Sequence, residues 1–185
     1  MENMNDLRDL LIYDVLHLRS AEEQIVAGMP AMIAKASNPQ LKQALEQHLR
    51  VTEMQVQRIN QVCQMLGADA SSGSQGTGIF AGLFSAGTKS MGIAGLITEG
   101  GKVMALDMDP DVMDAAIIGC SQKIEHYEIA GYGTARTYAE QLGLTDVAQL
   151  LQQTLMEEHD ADDLLTTLAV GDVNQRAEVG AGTNM

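Results

Sequence analysis

Glu125, Glu128 and Tyr132 stand three and four residues apart within QKIEHYEIAGY, residues 122–132. On a helix this spacing makes them neighbours in one row, which continues through Ser121 on one side and Ala135, Ala139 and Leu142 on the other. A row of small and apolar residues faces a core, and a glutamate placed there carries a desolvation cost unless something positive compensates it. Lys and Arg are few nearby, so the chemistry expected is metal binding by carboxylates.

Other carboxylates follow the same logic. Glu22 takes one place in an apolar stripe between Leu18 and Ile25, and Glu158 one in the stripe of Val147, Leu151, Leu155, Leu165 and Leu168. In antiparallel helical hairpins, residues equidistant from the turn share a height. Reflecting Glu22 through the turn near Asn38 lands on Glu53 or Met54; reflecting Glu128 through the turn near Leu144 reaches Asp160, within a turn of Glu158. Glu22, Glu53, Glu125, Glu128 and Glu158 are therefore expected in one layer drawn from four helices. The charges of Glu22, Glu53, Glu125 and Glu158 would cancel two divalent ions, with Glu125 bridging them and Glu128 either protonated or suited to a more oxidised pair. His48 lies on an apolar face with Thr52 and Gln55, either as a ligand or as a core histidine hydrogen-bonded by those two. His17, His126 and His159 fall towards helix flanks or a helix start. Tyr132, and Tyr127 beside the carboxylates, are either redox-active or packed with the hydroxyl on a carboxylate.

The elements that must hold these residues are long helices. Leu7, Leu11, Val15, Leu18, Ile25, Met29 and Met32 recur at helical steps, predicting a first helix from about Asn5 to Lys35 with Pro30 as a kink or a loosened last turn. Ser37-Asn38-Pro39 stops it and starts a second helix, Pro39 to Leu66, closed by Gly67. Residues 68–78 form a Gly/Ser-rich connector, and Ile79 to Leu106 is apolar but broken by glycines, as expected of short helical pieces in a crossover. Asp109-Pro110 starts a third helix, Pro110 to Leu142, in which Gly119, Gly131 and Gly133 allow a neighbour to approach closely. The fourth runs from Asp146 to Val170 after Gly143-Leu144-Thr145. The domain reading is one bundle over residues 1–170, with 68–108 as the crossover and 171–185 as a polar tail, frayed or used in subunit contact.

Composition agrees. At 185 residues the chain suits one domain with a substantial core. A 3% aromatic share without Trp, beside 12 Met, leaves Leu, Ile, Val, Ala and Met to fill it, which favours helices over sheets. A net charge of −14 opposes nucleic acid and anionic lipid as partners and is indifferent to cations. No apolar run approaches the ~18 residues of a membrane span, and the start lacks a basic and apolar leader, so a cytoplasmic protein without an anchor is expected. Cys63 and Cys120 sit in apolar helical patterns without a CxxC, as buried thiols do.

Two hairpins joined by a long crossover outline the all-α, ferritin-like four-helix bundle that houses di-iron and di-manganese carboxylate sites. The usual scheme there adds E-x-x-H on two helices. Here Val56 follows Glu53 and Ala161 follows Glu158 at that spacing, so both histidines are replaced, with His48, Glu128 and His159 as substitutes at hand. Over Leu7 to Glu178 the chain resembles the YciF/YciE group of bacterial ferritin-like stress proteins. The resemblance rests on SAEEQ around Glu22, EQHL with Thr52 and Gln55, GLITEG around Glu99, IEHYEIAGYGTA around Glu125 and Glu128, and LMEEH around Glu158. It implies a rubrerythrin-like fold, a dinuclear iron or manganese centre, a homodimer and a role in the stress response, with dioxygen or peroxide as the small-molecule substrate of such a centre. Members usually carry a Glu just before the second-helix Thr, where this chain has Val51; Glu53 and His48 both stand open as the second-helix ligand. The alternative from another class is a structural or interaction protein whose bundle holds no metal.

Overall fold

The computed structural model describes residues 4–68 and 89–179. Four long helices form the body: α1 (Leu7–Lys35), α2 (Pro39–Leu66), α4 (Pro110–Gln141) and α5 (Thr145–Leu168), with a shorter α3 (Met91–Val103) between the two hairpins. Their ends follow from capping. Asp6 and Asp109 each accept a backbone N–H of the helix they open, and Asn38 accepts two, from Gln40 and Leu41, with Pro39 in the first turn. Gly67 and Gly143 close α2 and α4 at φ 72° and 70°, a left-handed conformation that glycine adopts without strain. Pro30 lies inside α1, which continues past it to Lys35. The connector 69–88, including the first part of the expected crossover pieces, lies outside the described residues.

Each hairpin packs on the other: α1 against α2 and α4, α5 against α4 and α2, with α3 lying across α1 and α4. This is an all-α, ferritin-like four-helix bundle of two antiparallel hairpins with a long crossover. At Gly131 the Leu18 side chain of α1 packs directly on the α4 backbone, since a Cβ there would stand 2.7 Å from Leu18 Cδ2. Gly119 and Gly133, also expected at close approaches, face open space.

The apolar interior comes in two main parts. One is built from Leu11, Val15, Leu16, Ile59, Val62, Leu151 and their neighbours. The other gathers Met32, Leu41, Leu45, Ile117, Ile118 and Leu165 at the far end of the bundle. Between them lie the buried polar residues Glu22, Thr52, Gln55, Glu125, Glu128 and Glu158, with a smaller apolar cluster of Ala21, Ile25, Met29, Ile93 and Ile124 beside Glu22 and Glu125.

Residues 171–179, expected as a tail, are helical. A π-helical turn, Ala169–Val173, leads from α5 into α6 (Asn174–Val179). Buried Val173 joins the far core, and Arg176 Nη2 pairs with Asp111 at 2.8 Å, docking this end on α4. Residues 180–185 lie outside the described residues.

Candidate metal centre

Each long helix sends one or two possible metal ligands to the polar layer. Glu22 comes from α1, His48 from α2, Glu125 and Glu128 from α4, and Glu158 from α5. Ligand atoms of His48, Glu125 and Glu158 lie within 4.8 Å of one another, as do those of Glu22, Glu128 and Glu158. Glu158 belongs to both triads, the shared place that sequence reasoning gave to Glu125.

The four carboxylates are at most 2% exposed. Glu22 Oε2, Glu125 Oε2, Glu128 Oε1 and Glu158 Oε2 are buried without a hydrogen-bond partner. Their other contacts fix them in place. Tyr132 donates its hydroxyl to Glu22 Oε1. Gln55 Nε2 donates to Glu158 Oε1 at 2.6 Å and to Glu157 Oε2 at 3.1 Å. Arg58 grips Glu157 with both terminal nitrogens, at 2.7 and 2.9 Å. His48 Nε2 stands 3.2 Å from Glu125 Oε1, at ion-pair distance but off the line of a good hydrogen bond.

Burial sets the protonation of this layer. It pushes the Glu22 carboxyl up to about 8, against the Tyr132 hydroxyl and His48, which favour the ionised form; Glu125 adds to the rise. Glu128 and Glu158 are raised well above the usual carboxylate range, by burial first and then by the neighbouring glutamates. Burial together with Glu22 and Glu128 raises the Tyr132 phenol. For His48 burial opposes the imidazolium, but Glu125 and Glu22 outweigh it and the net shift is upward.

Of the residues expected in the site, Glu22, His48, Glu125, Glu128, Glu158 and Tyr132 come together. Glu53 does not: it is exposed on α2. Reflection through the turn sets a residue's height on its helix and leaves its direction open. Glu53 stands five residues after His48, about 140° round the helix, whereas Thr52 and Gln55 return to the His48 face. Thr52 donates to the His48 carbonyl at 3.0 Å. Outside the cluster, Tyr127 bonds Ser90 Oγ at 2.9 Å, His126 sits 3.5 Å from Asp162, His17 Nδ1 meets the Tyr13 carbonyl at 2.9 Å, and Glu99 pairs with Lys123 at the surface. His159 is exposed. Sequence reasoning missed Arg58, Glu157 and the use of Gln55 to hold Glu158; a Gln buried on an apolar face was the signal that could have revealed the last.

Hard oxygen donors with one imidazole, four of the oxygens lacking any partner, fit a pair of divalent first-row ions, whose four positive charges match four glutamates. Glu22, Glu125, Glu128, Glu158 and His48 are the residues that could hold them. The second histidine of the usual scheme has no counterpart among the clustered residues.

A buried carboxylate layer across a one-crossover bundle defines the ferritin-like class of helical proteins. Comparison with known proteins narrows this. The family described as a domain of unknown function, DUF892, matches residues 6–178. Protein YciF of Escherichia coli K12 is 38% identical over 176 residues, 95% of this chain and 98% of its own length. The crystal structure of the E. coli stress protein YciF superposes with a TM-score of 0.79 at 37% identity, covering 93% of this chain and 99% of that one. YcfI from Rhodopseudomonas palustris, described with a suggested structural role, gives 0.78 at 35% identity, covering 89% of this chain and 96% of that one. The chain belongs to the YciF family.

Proposed function

We propose that this protein is a stress-response protein of bacteria that holds two iron or manganese ions in the carboxylate layer and consumes dioxygen or peroxide there. The observation that carries the reading is the set of four buried glutamates, each with an oxygen lacking a hydrogen-bond partner. Leaving such groups unmatched in a core costs stability with no structural return.

Bound iron or manganese would supply one-electron steps between the divalent and trivalent states. The chain's own residues do the rest. The two triads set two places that share Glu158. Gln55 holds the Glu158 carboxylate by one oxygen and leaves the other free to bind. Tyr132 keeps a proton at Glu22 Oε1 within reach of the layer. The apolar cores on either side exclude bulk water. A homodimer, expected from the family resemblance, is part of the proposal, and sedimentation velocity checks it.

Metal analysis after expression with iron and manganese supplied tests the reading. About two equivalents per chain are expected, falling in Glu125→Ala. Less than one equivalent, unchanged in the variant, would end it. The second reading, a bundle with a structural role and no metal, draws on the missing histidine and on the role suggested for YcfI. Peroxide turnover and ferrous oxidation on the loaded protein separate the two, and inactivity in both favours the structural reading.

A further inference from the structure

A cleft of about 200 Å³ opens between α2 and α5, lined by Ala44, His48 and Val51 on one side and Glu157, Ala161 and Leu164 on the other. It has room for several waters at about 30 Å³ each. Its position matters more than its size. The His48 side chain, 13% exposed, forms part of the cleft wall and also stands 3.2 Å from Glu125 Oε1 in the buried layer. One imidazole thus separates solvent from the carboxylates. The cavity bounded by Asp14, His17 and Gly131 is larger, about 330 Å³, but none of the clustered residues line it. The small apolar cavity of about 40 Å³ beside Met29, Leu96 and Cys120 touches no carboxylate.

The charges around the cleft suit a cation. Exposed Asp160 stands at its mouth. Arg58, the cation that reaches Glu157, is neutralised by that residue in a two-point ion pair, so its charge is not presented to an entering ion. We propose that the α2/α5 cleft is the entrance through which a divalent first-row cation reaches the carboxylate cluster, with His48 as its inner wall. The entering ion exchanges waters for the imidazole nitrogen first and then for Glu125 and Glu158, the other members of the same triad, and the protons these groups carry leave to the water of the cleft. The inference rests on the di-metal reading and adds a direction of loading to it.

The test is the rate of manganese(II) uptake by the full-length protein, followed in stopped flow by competition with a fluorescent divalent-cation indicator, with final stoichiometry measured by atomic emission. Ala161→Phe and Val51→Phe each fill the cleft from a different helix and touch no carboxylate of the cluster; circular dichroism selects whichever folds as the parent does. Ala130→Phe fills the cavity on the opposite side as a control. Uptake slowed by an order of magnitude or more in the cleft variants, with parental stoichiometry and an unaffected control, is the expected result. Equal rates in all proteins would overturn the entrance while leaving the metal site standing. A parent protein that takes up no ion would instead overturn the di-metal reading, and the entrance with it.

Discussion

Glu22, Glu128 and Glu158 are carboxyl groups that the fold makes reluctant to ionise, and this has a measurable sign. Between the usual value of 4.5 and about 8, Glu22 in the metal-free fold binds a proton that the unfolded chain has released. Stability therefore falls as pH rises through that window, by up to about 1.4 kcal/mol for each pH unit per group. Glu128 and Glu158 act in the same direction, and so does His48, whose raised value means that the fold loses a proton it prefers to keep. Melting curves of metal-free protein from pH 5 to 8 should move steadily downward; a flat or rising series would place these glutamates in water. Glu128 offers a sharper check. It has an oxygen with no partner, and Glu128→Gln keeps its shape while removing the charge. At pH 8 the metal-free variant should be more stable than the parent by about 1–2 kcal/mol in denaturant titration, while binding less metal. A destabilised variant would mean that the carboxylate is satisfied in the fold.

The turn between α1 and α2 depends on one residue of another helix. Asp114, buried on α4, accepts hydrogen bonds from Ser37 N at 2.8 Å, Ser37 Oγ at 2.6 Å and Asn38 N at 2.8 Å. Asp114→Ala would strand backbone donors in a buried corner and should cost about 3 kcal/mol, read from the urea midpoint at unchanged slope. Loss of less than about 0.5 kcal/mol would show that the turn holds itself. This contact was not legible beforehand, because Asp114 sits in a helix among apolar residues and its partners are 76 and 77 positions away. Helix ends, by contrast, were legible to within a residue or two, since Asn38-Pro39, Gly67, Asp109-Pro110 and Gly143 act on their own neighbours. The site falls between these cases. Periodicity within one helix identified Glu22, Glu125, Glu128 and Glu158, whose direction it fixes, and failed at Glu53, where height alone was used. The helical form of residues 171–179 was not legible because their one core anchor, Val173, makes no periodic stripe, and Arg176 finds Asp111 only after folding.

For the molecule as a whole, the di-metal proposal would link metal to folding. Free metal a hundredfold above its dissociation constant adds about 2.7 kcal/mol per site, and the gain should grow with pH as ion binding relieves carboxylate repulsion. Differential scanning calorimetry with and without manganese(II), at pH 6 and 8, checks both statements; equal melting temperatures at both values would leave the layer without a ligand. The two apolar cores flanking that layer have a further effect, on the spectrum of local openings. A helix in an ordinary bundle frays at its ends and is best protected at its centre. Here the centres of α1, α2, α4 and α5 pass through the polar layer, and the two larger apolar clusters lie on either side of it, with only the smaller one around Ala21, Ile25 and Ile124 at its height. Amide hydrogen exchange in the metal-free protein should show a waist, with backbone protons near Glu22, Thr52, Glu125 and Glu158 exchanging sooner than those near Val15 and Ile59 or near Leu45 and Ile117. Metal should erase the waist and turn two half-bundles into one cooperative unit.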